Sequence, residues 1–180
     1  MKKPRKKYRP GPVHCNALAI VLNKVRKLSA EDQRRQRSIM ATALQEFAAG
    51  RDCAYHWRSL ADAANMTETL AGMGICTGLQ AQTIIHAAQQ ALAAVHSRHA
   101  ERGTWTMYAT ELDTLHWMLR LHTTQLAECD YGEFERAYQT TCNRIAQARA
   151  GNAPADAVVI VGGVGAQKEA ACAASAATSL

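Results

Sequence analysis

The sequence predicts an all-α fold, a compact bundle or orthogonal array of five to six helices with flexible N- and C-terminal tails. Three observations carry that expectation. Between residues 16 and 150 the apolar side chains recur three and four positions apart, the period of a helix face rather than of a strand. Glycines at 50, 72, 74, 103 and 132 punctuate these runs, leaving links of a few residues that favour antiparallel neighbours. Hydrophobic content is 48%, but alanine inflates it. Such a core brings helices close together around a few large groups, here expected to be Phe47, Leu115, Trp117 and Leu119.

Taken in order, the first helix is expected from Asn16, a candidate N-cap, through Ala17 to Lys27. Leu18, Val21, Leu22, Val25 and Leu28 form its apolar stripe, with Lys24, Arg26 and Lys27 largely around the other side, so it packs onto the body while extending a basic surface. Ser29 followed by Glu31 and Asp32 marks the next start, with acids in the positive end of the helix dipole. Ile39, Met40, Ala43, Leu44 and Phe47 are its buried stripe and Gly50 its stop. A third helix runs from an Asp52 cap to Ala71, burying Trp57, Leu60, Ala61, Ala64 and Leu70 before the Gly72-Met73-Gly74 break. Residues 80–101 form a fourth, on Ile84, Ala88, Leu92 and Val95. The fifth starts at Thr106 or Thr110 and ends at Glu128, on Leu112, Leu115, Leu119 and Leu126. Tyr131-Gly132 is expected to turn the chain into a last helix from Phe134 to about Ala150, carried by Tyr138, Thr141, Ile145 and Ala148.

Domain organisation follows: residues 1–15 a basic flexible arm, 16–150 a single helical domain, and 151–180 an Ala/Gly-rich C-terminal tail with few large apolar groups. At 180 residues one substantial core is the default. No window approaches the roughly 18 continuous apolar residues of a bilayer-spanning helix. The basic start also lacks the apolar run of a secretory signal, so a cytoplasmic location is expected. Cys15, Cys53, Cys76, Cys129, Cys142 and Cys172 form no CxxC pair and read mostly as small buried hydrophobes in a reducing compartment.

Candidate chemistry is sparse. Val158-Val-Ile-Val161 followed by Gly162-Gly-Val-Gly165-Ala-Gln-Lys168 has the look of a strand entering a phosphate-binding turn, but no second βα unit follows and the spacing departs from the P-loop pattern. His96 and His99, three apart, and His116 and His122 on the following helix would suit zinc only if three or four ligands converged. Cys53 with His56, or Cys129 with His122, can be drawn as thiol and imidazole pairs, which also need access and a lowered thiol pKa. Glu111 and Asp113 point in different directions and read as surface charge or a helix start. No set of acids, histidines and nucleophiles defines an enzyme, and no cofactor is expected.

Charge is the strongest signal. Six of the 21 Lys and Arg residues fall in the first nine positions, and residues 1–37 carry twelve against Glu31 and Asp32, a formal excess of ten. Residues 38–180 hold nine basic and 13 acidic side chains, so the body is mildly acidic and the positive field is regional. Lys2, Lys3, Arg5, Lys6, Lys7 and Arg9 are candidate phosphate contacts, with Tyr8 positioned to stack on a base. Lys24, Lys27, Arg34, Arg35 and Arg37 would continue the surface.

The passage Lys6-Lys-Tyr-Arg-Pro-Gly-Pro-Val-His-Cys-Asn16, with Gly50-Arg51 and Leu60-Ala-Asp-Ala-Ala-Asn65 followed by Glu68 and Leu70, resembles small uncharacterised phage or prophage proteins of Gram-negative bacterial hosts. The resemblance covers residues 6 to about 74. It implies a bacterial-virus setting and an accessory or host-interaction role. The functional expectation is therefore a nonenzymatic phage-type accessory protein in the bacterial cytoplasm that binds nucleic acid, DNA or RNA, through its basic N-terminal region. The alternative is a protein-interaction module that engages an acidic bacterial protein surface, inhibits a host protein or assembles into a larger complex, with oligomerisation left open.

Overall fold

Local signals decide where each helix begins and stops. In the computed structural model, which describes residues 25–51 and 54–152, Ser29 caps α1 (Ala30–Ala48): its Oγ accepts the Asp32 amide at 3.0 Å. At the other end Gly50 takes a φ of 69°. This left-handed residue lets the Arg51 and Gly50 amides reach back to the Glu46 and Phe47 carbonyls at 2.9 and 3.1 Å, a Schellman closure. The second helix, α2 (Ala54–Gly72), ends the same way on Gly74 (φ 91°), with the Ile75 and Gly74 amides on the Leu70 and Ala71 carbonyls. Ile75 then packs beside Leu70 in the core, the apolar contact that accompanies this motif.

The third helix, α3 (Leu79–Arg102), stops at Gly103. Arg98 on its last turns pairs with Glu111 and donates through Nε to the Thr106 carbonyl at 3.1 Å, tying down the link to α4 (Ala109–Glu128). The Glu111 carboxylate also accepts the Tyr108 amide at 2.8 Å, so the carboxylate serves the start of its own helix. The final helix, α5 (Tyr131–Arg149), opens on a reciprocal capping box: the Glu133 amide donates to Asp130 Oδ1 at 2.7 Å and the Asp130 amide to Glu133 Oε2 at 2.8 Å.

The five described helices form one all-α bundle, and among the described residues the only β pairing is an isolated bridge between Lys27 and Asp130. The central helix is α2, which packs against each of the other four. One core joins α1, α2, α3 and α4 around Leu44, Trp57, Leu60, Leu92, Leu115 and Met118, all at most 2% exposed. Alanines at 43, 61, 64 and 88 let those helices approach closely. A second cluster at the other end of α2 joins Leu28, Met66, Leu70, Ile75, Leu126, Cys129 and Ala137, and this is where α5 attaches. Thr141 Oγ1 donates to Thr69 Oγ1 at 2.9 Å, and Arg144 donates to Glu68 Oε2 at 2.7 Å. Both α1 and α5 run antiparallel to α2. Their N-termini therefore lie at the same end, and an open groove of about 830 Å³ separates them, floored by α2.

Four expectations are corrected. The helix expected to end at Lys27 does not include Val25, Arg26 or Lys27, which form a turn, a bend and the bridge to Asp130; its residues 17–24 and the proposed Asn16 cap lie outside the described residues, as does Asp52. The Tyr131-Gly132 turn is instead the first turn of α5, because the Asp130 box supplies partners for the amides that a helix start leaves bare. Trp117 is not a core anchor but 55% exposed. Ile39 and Tyr138, expected on buried stripes, face the open groove, where none of the described helices covers them.

Candidate nucleic-acid interface and neighbouring side-chain clusters

Of the basic residues singled out from sequence, Lys2, Lys3, Arg5, Lys6, Lys7, Arg9 and Lys24, with Tyr8, lie outside the described residues. The other four are placed. Lys27 follows the turn before α1, and its ammonium donates to the Glu128 carbonyl at the C-terminus of α4. A cation there neutralises the negative end of the helix dipole; Lys27 thus has a structural contact. Arg34, Arg35 and Arg37 are exposed on the first half of α1. Arg34 and Arg37 turn their Nε groups onto the carbonyls four residues earlier, at 3.2 and 3.3 Å. None of the three forms an ion pair with a described carboxylate, so their remaining donors face solvent.

The histidines separate into two environments. His96 and His99 lie with Trp57 and Trp105, His99 stacked on Trp105 at 3.9 Å between centroids and 10° between planes, His96 5.0 Å from Trp57. Trp57 is fixed by its indole N–H on the Leu92 carbonyl at 2.9 Å. His122 is buried nearer the C-terminal end of α2, its Nδ1 2.9 Å from Thr67 Oγ1. That hydroxyl has one proton and gives it to the Ala63 carbonyl at 2.7 Å. His122 therefore donates through Nδ1–H. Burial holds its pKa down at about 4, against a smaller opposing effect from Gln125, so the ring is neutral at physiological pH. His116 is exposed. No group of three or more His, Cys, Asp or Glu side chains among the described residues is placed to hold a metal ion.

The thiols follow the same pattern. Cys129 is fully buried, and desolvation first, then Glu133, pushes its pKa up to about 11. Its sulfur lies 3.8 Å from the Leu126 carbonyl while His122 is held by Thr67, so the two do not form a thiol and imidazole pair. Cys53 lies outside the described residues, and with it the Cys53–His56 pair; so does the glycine-rich run 158–168. Gln125 joins the buried polar set, its amide donating to the Thr67 and Ile75 carbonyls at 3.1 and 3.2 Å. This stitches α4 to the closing turn of α2. Glu111 is taken up by Arg98 and its own helix start, and Asp113 is exposed.

Trp117, which the sequence left as either a core or a contact residue, belongs to a surface cluster that the sequence did not reveal. Trp117 stands out of α4 with the Arg120 guanidinium 4.9 Å from its ring centroid, beside Leu79, which is 82% exposed at the start of α3. The signal was present: Trp117 falls two residues from both Leu115 and Leu119, off the stripe they define. No protein-family model matches this chain, and neither a curated protein nor a solved structure matches it.

Proposed function

We propose that this protein is a nonenzymatic accessory protein of phage type, acting in the bacterial cytoplasm, that binds nucleic acid through its basic N-terminal region. The observation that carries the reading is the excess of ten positive charges confined to residues 1–37 of a chain whose remainder is mildly acidic. Solvent-facing Arg34, Arg35 and Arg37 support it, as guanidinium groups with free donors are suited to bidentate phosphate contacts. The six basic residues before Pro10 add positive charge, and Tyr8 a ring on which a base stacks.

Titration of labelled duplex DNA and of RNA at rising salt tests this. If all six basic side chains of residues 1–9 contact phosphates, deleting them lowers the magnitude of the log K against log salt slope on duplex DNA by about 5. Salt-insensitive binding that survives the deletion refutes the mechanism. A second reading, a module that docks on a host protein, draws on the exposed Trp117 and Leu79, since an exposed tryptophan beside aliphatic surface is the usual centre of a protein contact. Affinity capture from bacterial lysate with and without nuclease separates the two: a single protein retained after nuclease, and lost with Trp117→Ala, favours docking.

A further inference from the structure

We infer that the groove-side face of α5 is a self-association surface, on which α5 of a second copy of this chain packs antiparallel about a two-fold axis at Cys142. Glu135, Tyr138, Cys142, Ile145 and Arg149 follow one another at alternating intervals of three and four, the spacing that keeps side chains on one straight seam of a helix. Tyr138 is 54% exposed; Glu135, Cys142 and Arg149 are exposed and Ile145 is half-buried. The face that α5 buries on α2 is a different one, carried by Ala137 and Thr141. The last helix thus has two faces with apolar groups, and none of the described helices covers the second. Ile39 of α1 and Tyr55 of α2 line the same groove and widen the strip that an incoming helix meets.

Charge selects a second copy as the occupant. Glu135 and Arg149 are the charged members of the seam and stand at its two ends, seven residues either side of Cys142. An antiparallel copy centred on Cys142 therefore sets each Glu135 against Arg149 of the other chain and forms the same ion pair twice. A parallel copy would bring Glu135 to Glu135 and Arg149 to Arg149, repulsive at both ends. Between the ends, Tyr138 meets Ala146 of the second copy, next to its Ile145, and the two Cys142 side chains face each other on the axis. A patch that complements itself under a two-fold rotation is what an isologous dimer requires.

The two charges are placed for this contact. The Glu135 side chain forms no ion pair with a described residue. Arg149 lines the groove and lies close enough to Asp62 to favour its ionised form, so its charge is held on the groove side. One helix face with two flanking side chains falls below the roughly 800 Å² per partner of a stable interface, so the expected association is weak, with a micromolar Kd. None of the seam residues belongs to the basic surface assigned to nucleic acid, and the inference stands apart from that reading.

Sedimentation equilibrium of the full chain over a concentration series, in reducing buffer, tests it. A monomer–dimer equilibrium that approaches twice the 19.6 kDa chain mass is expected; a monomer throughout overturns the inference. Glu135→Arg and Arg149→Glu are each expected to weaken the dimer at least about tenfold, because each creates two like-charge contacts across the axis, and Glu135→Arg/Arg149→Glu together to recover to within about threefold of wild type. Within one chain these residues are roughly 21 Å apart along the helix, beyond the screening length at physiological salt, so recovery in the double variant reports contact between chains. No recovery overturns the pairing. In the wild-type chain a bismaleimide is expected to join Cys142 to Cys142, identified by mass spectrometry as a peptide linked to its own copy. A dimer linked only through other cysteines, or one unaffected by either single swap, has its interface elsewhere and overturns the inference. Buried Cys129 unlabelled in each variant is the sign that the bundle is intact.

Discussion

Neutral His122 makes the bundle acid-sensitive in a calculable way. Its folded pKa is held down at about 4 by burial, against 6.5 for the free side chain. Below pH 6.5 the unfolded chain takes up a proton here that the folded chain refuses. Stability from this site is therefore complete above about 6.5 and is lost as pH falls toward about 4, below which the contribution is constant. At 1.36 kcal/mol per pH unit, lowering the pH from about 6.5 to about 5 removes roughly 2 kcal/mol, and the full window roughly 3 kcal/mol. The perturbation that isolates it is His122→Gln, whose amide can still donate to Thr67 Oγ1 without titrating. Urea unfolding of both proteins at intervals from about pH 7.5 to about 4.5 gives two stability curves. Other histidines contribute equally to each, so the difference between them reports His122. Asp62, whose pKa burial raises above its ordinary 3.8 before Arg58 and Arg149 pull it back, acts with the opposite sign at the acid end and is common to both. The variant is expected to be less stable at neutral pH and to close that gap by about 2 kcal/mol at about pH 5. Parallel curves would refute the placement of a neutral imidazole in the core.

Three shorter expectations accompany it. Trp57→Phe keeps an aromatic ring but loses the bond to the Leu92 carbonyl and contacts with His96 and Trp105; a loss of about 2 kcal/mol in urea unfolding is expected. Asp130→Ala removes the side chain that caps α5 and is expected to cost about 1 kcal/mol, with amide exchange rising first in residues 131–134. Cys129, with its thiol pKa pushed up to about 11, is expected to resist iodoacetamide at mildly alkaline pH and to label once urea unfolds the chain. Rapid labelling of the folded protein would contradict its burial.

Helix positions were legible because their determinants are local. Ser29 and the acids behind it identify a helix start from four residues, and Gly50, Gly74 and Gly103 identify stops because each supplies the left-handed backbone that a closing turn needs. Where the reading failed, a distant partner decided. Val25 continues the stripe of Leu18, Val21 and Leu22, yet Lys27, two residues on, bridges to Asp130, more than a hundred residues away. Ile39 and Tyr138 sit on well-formed apolar stripes, but a stripe records only that a face is apolar. Whether a neighbour covers it depends on which helices meet, and none of the described ones fills the space between α1 and α5. The four histidines illustrate the same limit: their helices were assigned, but not that His99 would stack on Trp105 while His122 would turn inward to Thr67.

By itself, then, the sequence determined the class of fold, the bounds of most helices, the faces they bury and the concentration of positive charge before residue 38. These depend on a 3.6-residue period, on capping groups within four positions and on composition, all of which act along the chain. Tertiary structure alone decided that α2 is the shared partner of the other four helices, that Arg98 and Glu111 hold each other, that His122 is neutral and inward, that Trp117 faces solvent, and that an open groove lies between α1 and α5. Those depend on contacts between residues dozens of positions apart, which alanine-rich helix faces permit in several arrangements and which only the packed bundle selects.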